Sequence, residues 1–318
     1  MASTDLIWAD EATKRVYFSD RSNFGIDIVD ATTDSYAGRI TGFIGATGAN
    51  GAGPNGVLVT PDKKLWAGDG NSLVRVVDLN LNPPRIIQSI STGGSNRADE
   101  LGYDPDDHII LIGNDRETPP YLTAISADTY RVLATIPFKE ASGMEQPIWN
   151  EQLHRFFINV PTARGAELAA VDPKTMTVTS TYPVGSGCGG TGLAQGPFQR
   201  LLVACGNPFI VNAINGSIIS TVTDVGSGDQ VWYNAGDGQF YVTSTDRSGA
   251  TVLGVIDAQT AAWRQNVIAP GARNVTALAS TNHIYTVVRS PAAGVADTTL
   301  CAQFGIRGNG CVGVFTHQ

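Results

Sequence analysis

Positive charge, histidine and long apolar runs are all scarce in this chain of 318 residues. Twenty-one lysines and arginines stand against 29 acids, for a net charge of −8. Non-specific nucleic-acid binding needs a basic stripe, which so few scattered cations do not supply. An acidic exterior also discourages binding to anionic membranes. No stretch approaches the ~18 uninterrupted apolar residues that span a bilayer. Neither nucleic acid nor membrane is therefore an expected partner. The opening MASTD, which runs straight into LIWA, does not read as a signal peptide, so the expectation is a cytosolic chain or a mature form whose leader was removed.

Catalytic signatures are sparse as well. The four histidines are His108, His154, His283 and His317, and the sequence holds no GxSxG, HExxH or CxxCH. Those absences argue against a serine-hydrolase elbow, a zincin and covalent haem. The glycine-rich GANGAGPNG has neither the strand–helix context nor the lysine of a phosphate loop. No cofactor is expected. Helical periodicity over 12 or more residues is also missing.

What is present is a repeat. Apolar strands end at Asp30, Asp78, Ser126, Asp172, Asn212, Asp257 and Phe315, at intervals of 40–48 residues and a last one of 58. Two further apolar strands precede each marker, and in most units a fourth follows it. Gly, Asn and Asp between strands supply tight turns. A lone sheet of this composition has two apolar faces; stacked neighbours around an axis cover both. The fold expected is all-β: one propeller of seven blades over residues 1–318, with six blades as the alternative. The last unit lacks an obvious outermost strand.

In a propeller, the turns after each second strand and the links between blades share one face. That face is the expected mouth, since loops on a rigid scaffold commonly carry function. It draws together Arg21, Asn23, Asn55, Arg97, Glu100, Asn114, Asp115, Glu145, Gln146, Asp229, Gln230, Asp246, Arg247, Arg273 and Arg289. Trp66, Trp149, Trp232, Tyr103 and Tyr233 lie on or near inner strands and could wall a cavity. His108, His154 and His283 fall beside turns of the opposite face. The expected site has Arg21, Arg97, Arg247, Arg273 and Arg289 as donors to a carbonyl or phenolate, with Glu100 and Glu145 as catalytic acids. Asn23, Asn55, Gln146 and Asp229 are the polar binding residues, and Trp149, Trp232 and Tyr233 pack the apolar body. The competing reading of Asp20–Arg21 and Asp246–Arg247 is a surface ion pair or an Asx turn.

The four cysteines do not have the C-x-x-C spacing of structural zinc. Three pairings are possible, of which Cys188–Cys205 and Cys301–Cys311 is the simplest; buried free thiols are the alternative. Bridging would imply an oxidising compartment, and so a secreted or secretory-lumen protein, with sequons at Asn215 and Asn274 open to glycans. Without bridges the chain is expected in the cytoplasm.

DRSNFGIDIVD (20–30), GPNG (53–56), GCGG…ACGN and GNGCVGVF resemble the YncE-like branch of the NHL and SMP-30-like propellers, and the resemblance runs over essentially the whole chain as a repeat architecture. It implies a propeller of secondary metabolism. Some such fungal biosynthetic proteins are hetero-Diels–Alderases, joining a quinone methide to a terpene alkene without metal. A ligand- or protein-binding propeller without turnover is the first alternative. A calcium-dependent lactonase, with Glu100, Asn114, Asp115, Asp229 and Glu145 as oxygen ligands, is the second.

Overall fold

The computed structural model describes residues 1–185, 188–226 and 228–316. Seven antiparallel sheets are arranged about one axis, six with four strands and the last with three, and the strands of each run outward in chain order. The innermost strands are Thr4–Asp10, Val57–Val59, Leu101–Asp104, Glu145–Asn150, Leu193–Gln195, Val231–Asn234 and Ala272–Leu278. They meet their neighbours around the axis, and the seventh returns to the first. The expected seven blades are present, and among the described residues the seventh lacks an outermost strand, as expected.

Burial explains the sequence pattern. Second strands such as Arg15–Asp20 and Ile109–Asn114 are buried on both faces, because a neighbouring blade covers each face. Fourth strands such as Arg85–Ser91 are largely exposed at the perimeter. Seven hydrophobic clusters fill the seven gaps between blades. Trp66 belongs to one of these. It sits in a second strand, fully buried and tilted against Tyr130 at 5.7 Å, rather than in the channel wall expected for it. Near the axis the backbones approach closely: a Cβ on Gly102 would stand 2.6 Å from the carbonyl oxygen of Pro147.

No strand is shared between the ends of the ring among the described residues. Closure between blades 7 and 1 rests on Ile7, Val16 and Phe18 packing against Leu278, Tyr285 and Val287. Polar ties add to it: Tyr285 Oη donates to Asp34 Oδ1 at 2.6 Å, and Arg289 donates to the Thr4 hydroxyl at 2.9 Å and to the Thr4 carbonyl. Both expected disulfides form, Cys188–Cys205 and Cys301–Cys311, and no free cysteine remains. The second ties the short helix Leu300–Gln303 to the closing strand Cys311–Phe315. The two sequons differ: Asn215 is exposed in a turn, whereas Asn274 is fully buried and closed to glycan attachment in the folded chain. His317 lies outside the described residues.

Candidate functional site

Each innermost strand crosses the channel from the mouth to the opposite face, so its first and last residues serve different ends. At the mouth, Asp5, Asp99, Glu145 and Asp229 stand in the same register. Each is five positions before the residue that opens its hairpin (Asp10, Asp104, Asn150 and Asn234). Bulges occur at this level in blades 1, 4 and 7, between Thr4 and Ile7, Glu145 and Ile148, and Arg273 and Val275. A bulge re-aims the side chains beside it. Gln146, in the second of these bulges, takes a left-handed φ of 41°.

The arginines answer these acids unequally. Arg97 is buried and bridges Asp115, at 2.8 and 3.1 Å, and Asp99, at 2.6 Å. Arg21 pairs with Asp5 and reaches Asn55 Oδ1 at 2.9 Å. Arg273 meets Asp229 at 3.0 Å. Arg247 lies on the exposed rim, paired with Asp224 at 3.2 Å. Arg289 has no carboxylate partner among the described residues. Of the competing reading, the neighbour ion pairs do not form among the described residues but the turn role does: Asp20 accepts from Ser22 and Asn23, and Asp246 caps its own turn through Ser248 and Ala250. Asn23 is therefore a turn residue. Asn55, fully buried, links the carbonyls of Ala52 and Ala98. Asn114 is held by Thr92 and Thr123.

Glu100 and Glu145 have no arginine partner among the described residues. Burial, then the neighbouring Glu145 and Asp99, pushes the Glu100 carboxyl well above its ordinary range. Burial and the nearby Asp115 and Asp229 push Glu145 up to about 8. Asp99 is raised likewise by burial and Asp115. Carboxylate oxygens of Asp99, Asp115 and Glu145 all lie within 4.8 Å of one another. Arg97 already engages both aspartates, filling the electrostatic role a cation would have there.

An acid whose folded pKa is raised binds its proton more tightly in the folded state, so its contribution is lost as pH rises from the unfolded value to the folded one. Stability is thus expected to fall between about pH 4.5 and 8. Glu145→Gln should flatten that slope and stabilise the protein at pH 8 by of order 2 kcal/mol. Urea unfolding across the pH range checks this; a variant slope equal to that of the parent contradicts it.

The far end of the channel is apolar. A cavity of about 340 Å³ is walled by Trp8, Tyr103, Trp149, Trp232 and Tyr233, with Leu6, Ile148, Pro147 and Leu101 among the aliphatic surface. Trp8 and Trp232 meet edge to face at 5.3 Å. Trp149 packs on Phe156 at 5.0 Å and near His154 at 6.3 Å, which marks this as the histidine face. Among the described residues, no charged side chain lines the cavity. Of the three glutamines on its wall, Gln230 is consumed by the backbone of Ile7 and Gln195 by Asn150 and Gly196. Gln146 accepts from Leu193 N at 2.8 Å, and its Nε2 has no partner among the described residues. Burial raises the Tyr103 and Tyr233 phenols, keeping them neutral donors.

The expected arginines and aromatics are therefore not one site but two ends of a channel. Trp149, Trp232, Tyr233 and Gln146 are brought together, while Arg21, Arg97, Arg247, Arg273, Arg289, Glu100, Glu145 and Asp229 lie outside that cavity. Trp8, Asp5 and Asp99 were not singled out by the sequence. Register was the signal for all three: Trp8 aligns with Trp232, and the two aspartates with Asp229.

No family model matches this chain, and no curated protein matches it. Solved structures do. It is similar to a chain of the mitotic checkpoint complex, at 12% identity and a TM-score of 0.67, covering 91% of this chain and 86% of that one. It is also similar to hydrazine synthase of Kuenenia stuttgartiensis, at 12% identity and a TM-score of 0.64, covering 79% of this chain and 82% of that one. At such identity the likeness is one of fold: a seven-bladed β-propeller distantly related to other propeller proteins.

Proposed function

We propose that this propeller binds a small, neutral, ring-bearing molecule in the aromatic end of its axial channel. The observation that carries the reading is a cavity of about 340 Å³ walled by three tryptophans and two tyrosines, with one unpartnered amide donor at Gln146. Its size is at the lower end of small-molecule pockets, and its composition, apolar walls with a few polar groups, is of that kind. A ligand carbonyl or hydroxyl would meet Gln146 Nε2 or a tyrosine, while its ring packs on indole faces. Titration with 2-naphthol, followed by tryptophan emission, tests this. Saturable quenching is expected, with affinity about tenfold weaker in Trp232→Leu. Absence of saturation, or equal affinity in the variant, contradicts it.

A second reading follows from the neutral lining and from the resemblance to biosynthetic propellers. Cycloaddition needs orientation of apolar partners and a donor on a carbonyl, not a base of matched pKa. The same cavity would then be the template of a cofactor-independent enzyme of secondary metabolism. Product formation from quinone-methide and terpene-alkene substrates, lost in Trp232→Leu, separates turnover from binding alone. The two disulfides and the exposed sequon at Asn215 support passage through an oxidising, secretory compartment.

A further inference from the structure

A second cavity, of about 490 Å³, opens between blades 5, 6 and 7 on the mouth face, away from the aromatic pocket. Its character is the reverse of that pocket. Arg273 and Arg289 both line it, together with Asp229, Thr191, Ser244 and three more threonines. Arg273 is neutralised by Asp229 at 3.0 Å, but Arg289 is not neutralised by any acid among the described residues. Arg289 uses Nε and Nη2 on the hydroxyl and carbonyl of Thr4, which leaves Nη1 without a partner among the described residues. Asp5 and Arg21, which act on Arg289 with opposite signs, are paired with one another. Thr243, on the same wall, is buried, and its hydroxyl has no hydrogen-bond partner among the described residues. The wall thus carries an uncompensated guanidinium and a spare buried hydroxyl.

From this juxtaposition we infer that the cavity between blades 5, 6 and 7 is a binding site for a small polar organic anion, a carboxylate or phosphate ester. Arg289 and Arg273 clamp its charged group. Guanidinium forks meet two oxygens of such a group at once, and charge-assisted bonds of this kind are the stronger ones. The cavity exceeds what a bare inorganic ion fills, and its hydroxyl-rich wall suits a hydroxylated body rather than an apolar one. Burial and the repulsion of Arg273 draw the Arg289 guanidinium down to about 10, a penalty that a bound anion would relieve. Arg289 stays charged at neutral pH all the same. The site does not depend on the aromatic pocket, and either can stand without the other.

Calorimetric titration of the whole protein at low ionic strength tests it, with acetate, citrate, inorganic phosphate and 3-phosphoglycerate as probes. Saturable binding of citrate or 3-phosphoglycerate is expected, tighter than that of acetate or phosphate. Citrate preference identifies a carboxylate ligand, and 3-phosphoglycerate preference a phosphate ester. Arg289→Gln should weaken binding by about tenfold or more. Because Arg289 also ties the ring at Thr4, Arg273→Gln serves as a second variant outside that tie, with a loss of similar size expected. Arg247→Gln, on the exposed rim, should bind as the parent does. Failure of all four probes to saturate overturns the inference, as does binding that Arg273→Gln and Arg289→Gln leave unchanged. Quenching by 2-naphthol should be indifferent to citrate, so failure of one site is distinguishable from failure of the other.

Discussion

Replacing Arg97 with methionine is expected to destabilise the protein by about 3–5 kcal/mol, the cost of leaving buried charge uncompensated. Its guanidinium is buried and forks onto Asp115 while reaching Asp99, and both carboxylates are buried with it. Methionine keeps much of the volume and removes the charge. Asp99 would then face Asp115 and Glu145 with no cation, while Asp115 would keep only the exposed Arg116, at 2.8 Å. Without Arg97 the Asp99 carboxyl, already raised by burial, holds its proton to higher pH, and an acid with a raised folded pKa destabilises as pH rises. The loss should therefore be larger at pH 8 than at pH 5. Adding Asp99→Asn should restore part of it, because one of the stranded charges is removed. The rim residue Arg247 is the contrast. It is exposed, and its pair with Asp224 should be worth less than about 1 kcal/mol. Urea unfolding of the four proteins measures all of this. A loss below about 1 kcal/mol in Arg97→Met would mean that the mouth cluster is solvated rather than buried.

Removing the Cys301–Cys311 bridge by a double change to serine should cost about 2–4 kcal/mol. Locality is the sharper expectation. Blade 7 has three strands where the others have four, and among the described residues its edge strand Cys311–Phe315 pairs with one strand, His283–Val288. The bridge fixes that strand to the helix Leu300–Gln303, where Cys301 is fully buried. Hydrogen exchange should therefore accelerate first in 283–288 and 311–315, then in the innermost strand of blade 1 that closes on them. The equivalent change at Cys188 and Cys205 should loosen blade 5 instead. Uniform acceleration around the ring, or none, would contradict the view that closure is the weak joint.

Blade number was legible in the sequence because two-sided burial forces apolar strands between polar turns at a constant period. The absent outer strand was legible for the same reason, in the short stretch after VGVF. The division of the channel was not. Glu145 and Trp149 are four residues apart in one strand, a separation of about 13 Å along it. Proximity in sequence placed both at the mouth, whereas the strand carries them to opposite ends. Bulges compound the problem, since the one between Glu145 and Ile148 alters which side faces the axis. The acids that meet the arginines follow from register as well: Asp5, Asp99 and Asp229 pair with Arg21, Arg97 and Arg273, because the innermost strands bring those aspartates to the same level around the axis. Trp66 read as channel wall, but one strand outward it becomes core.

The axial ligand site is tested most directly by the crystal structure of the protein soaked in 2-naphthol. The expected result is a ring lodged between Trp8, Trp149 and Trp232, its hydroxyl within hydrogen-bond distance of Gln146 Nε2. A ring seated elsewhere on the molecule, or an empty axial cavity at concentrations that saturate the emission change in solution, would contradict it.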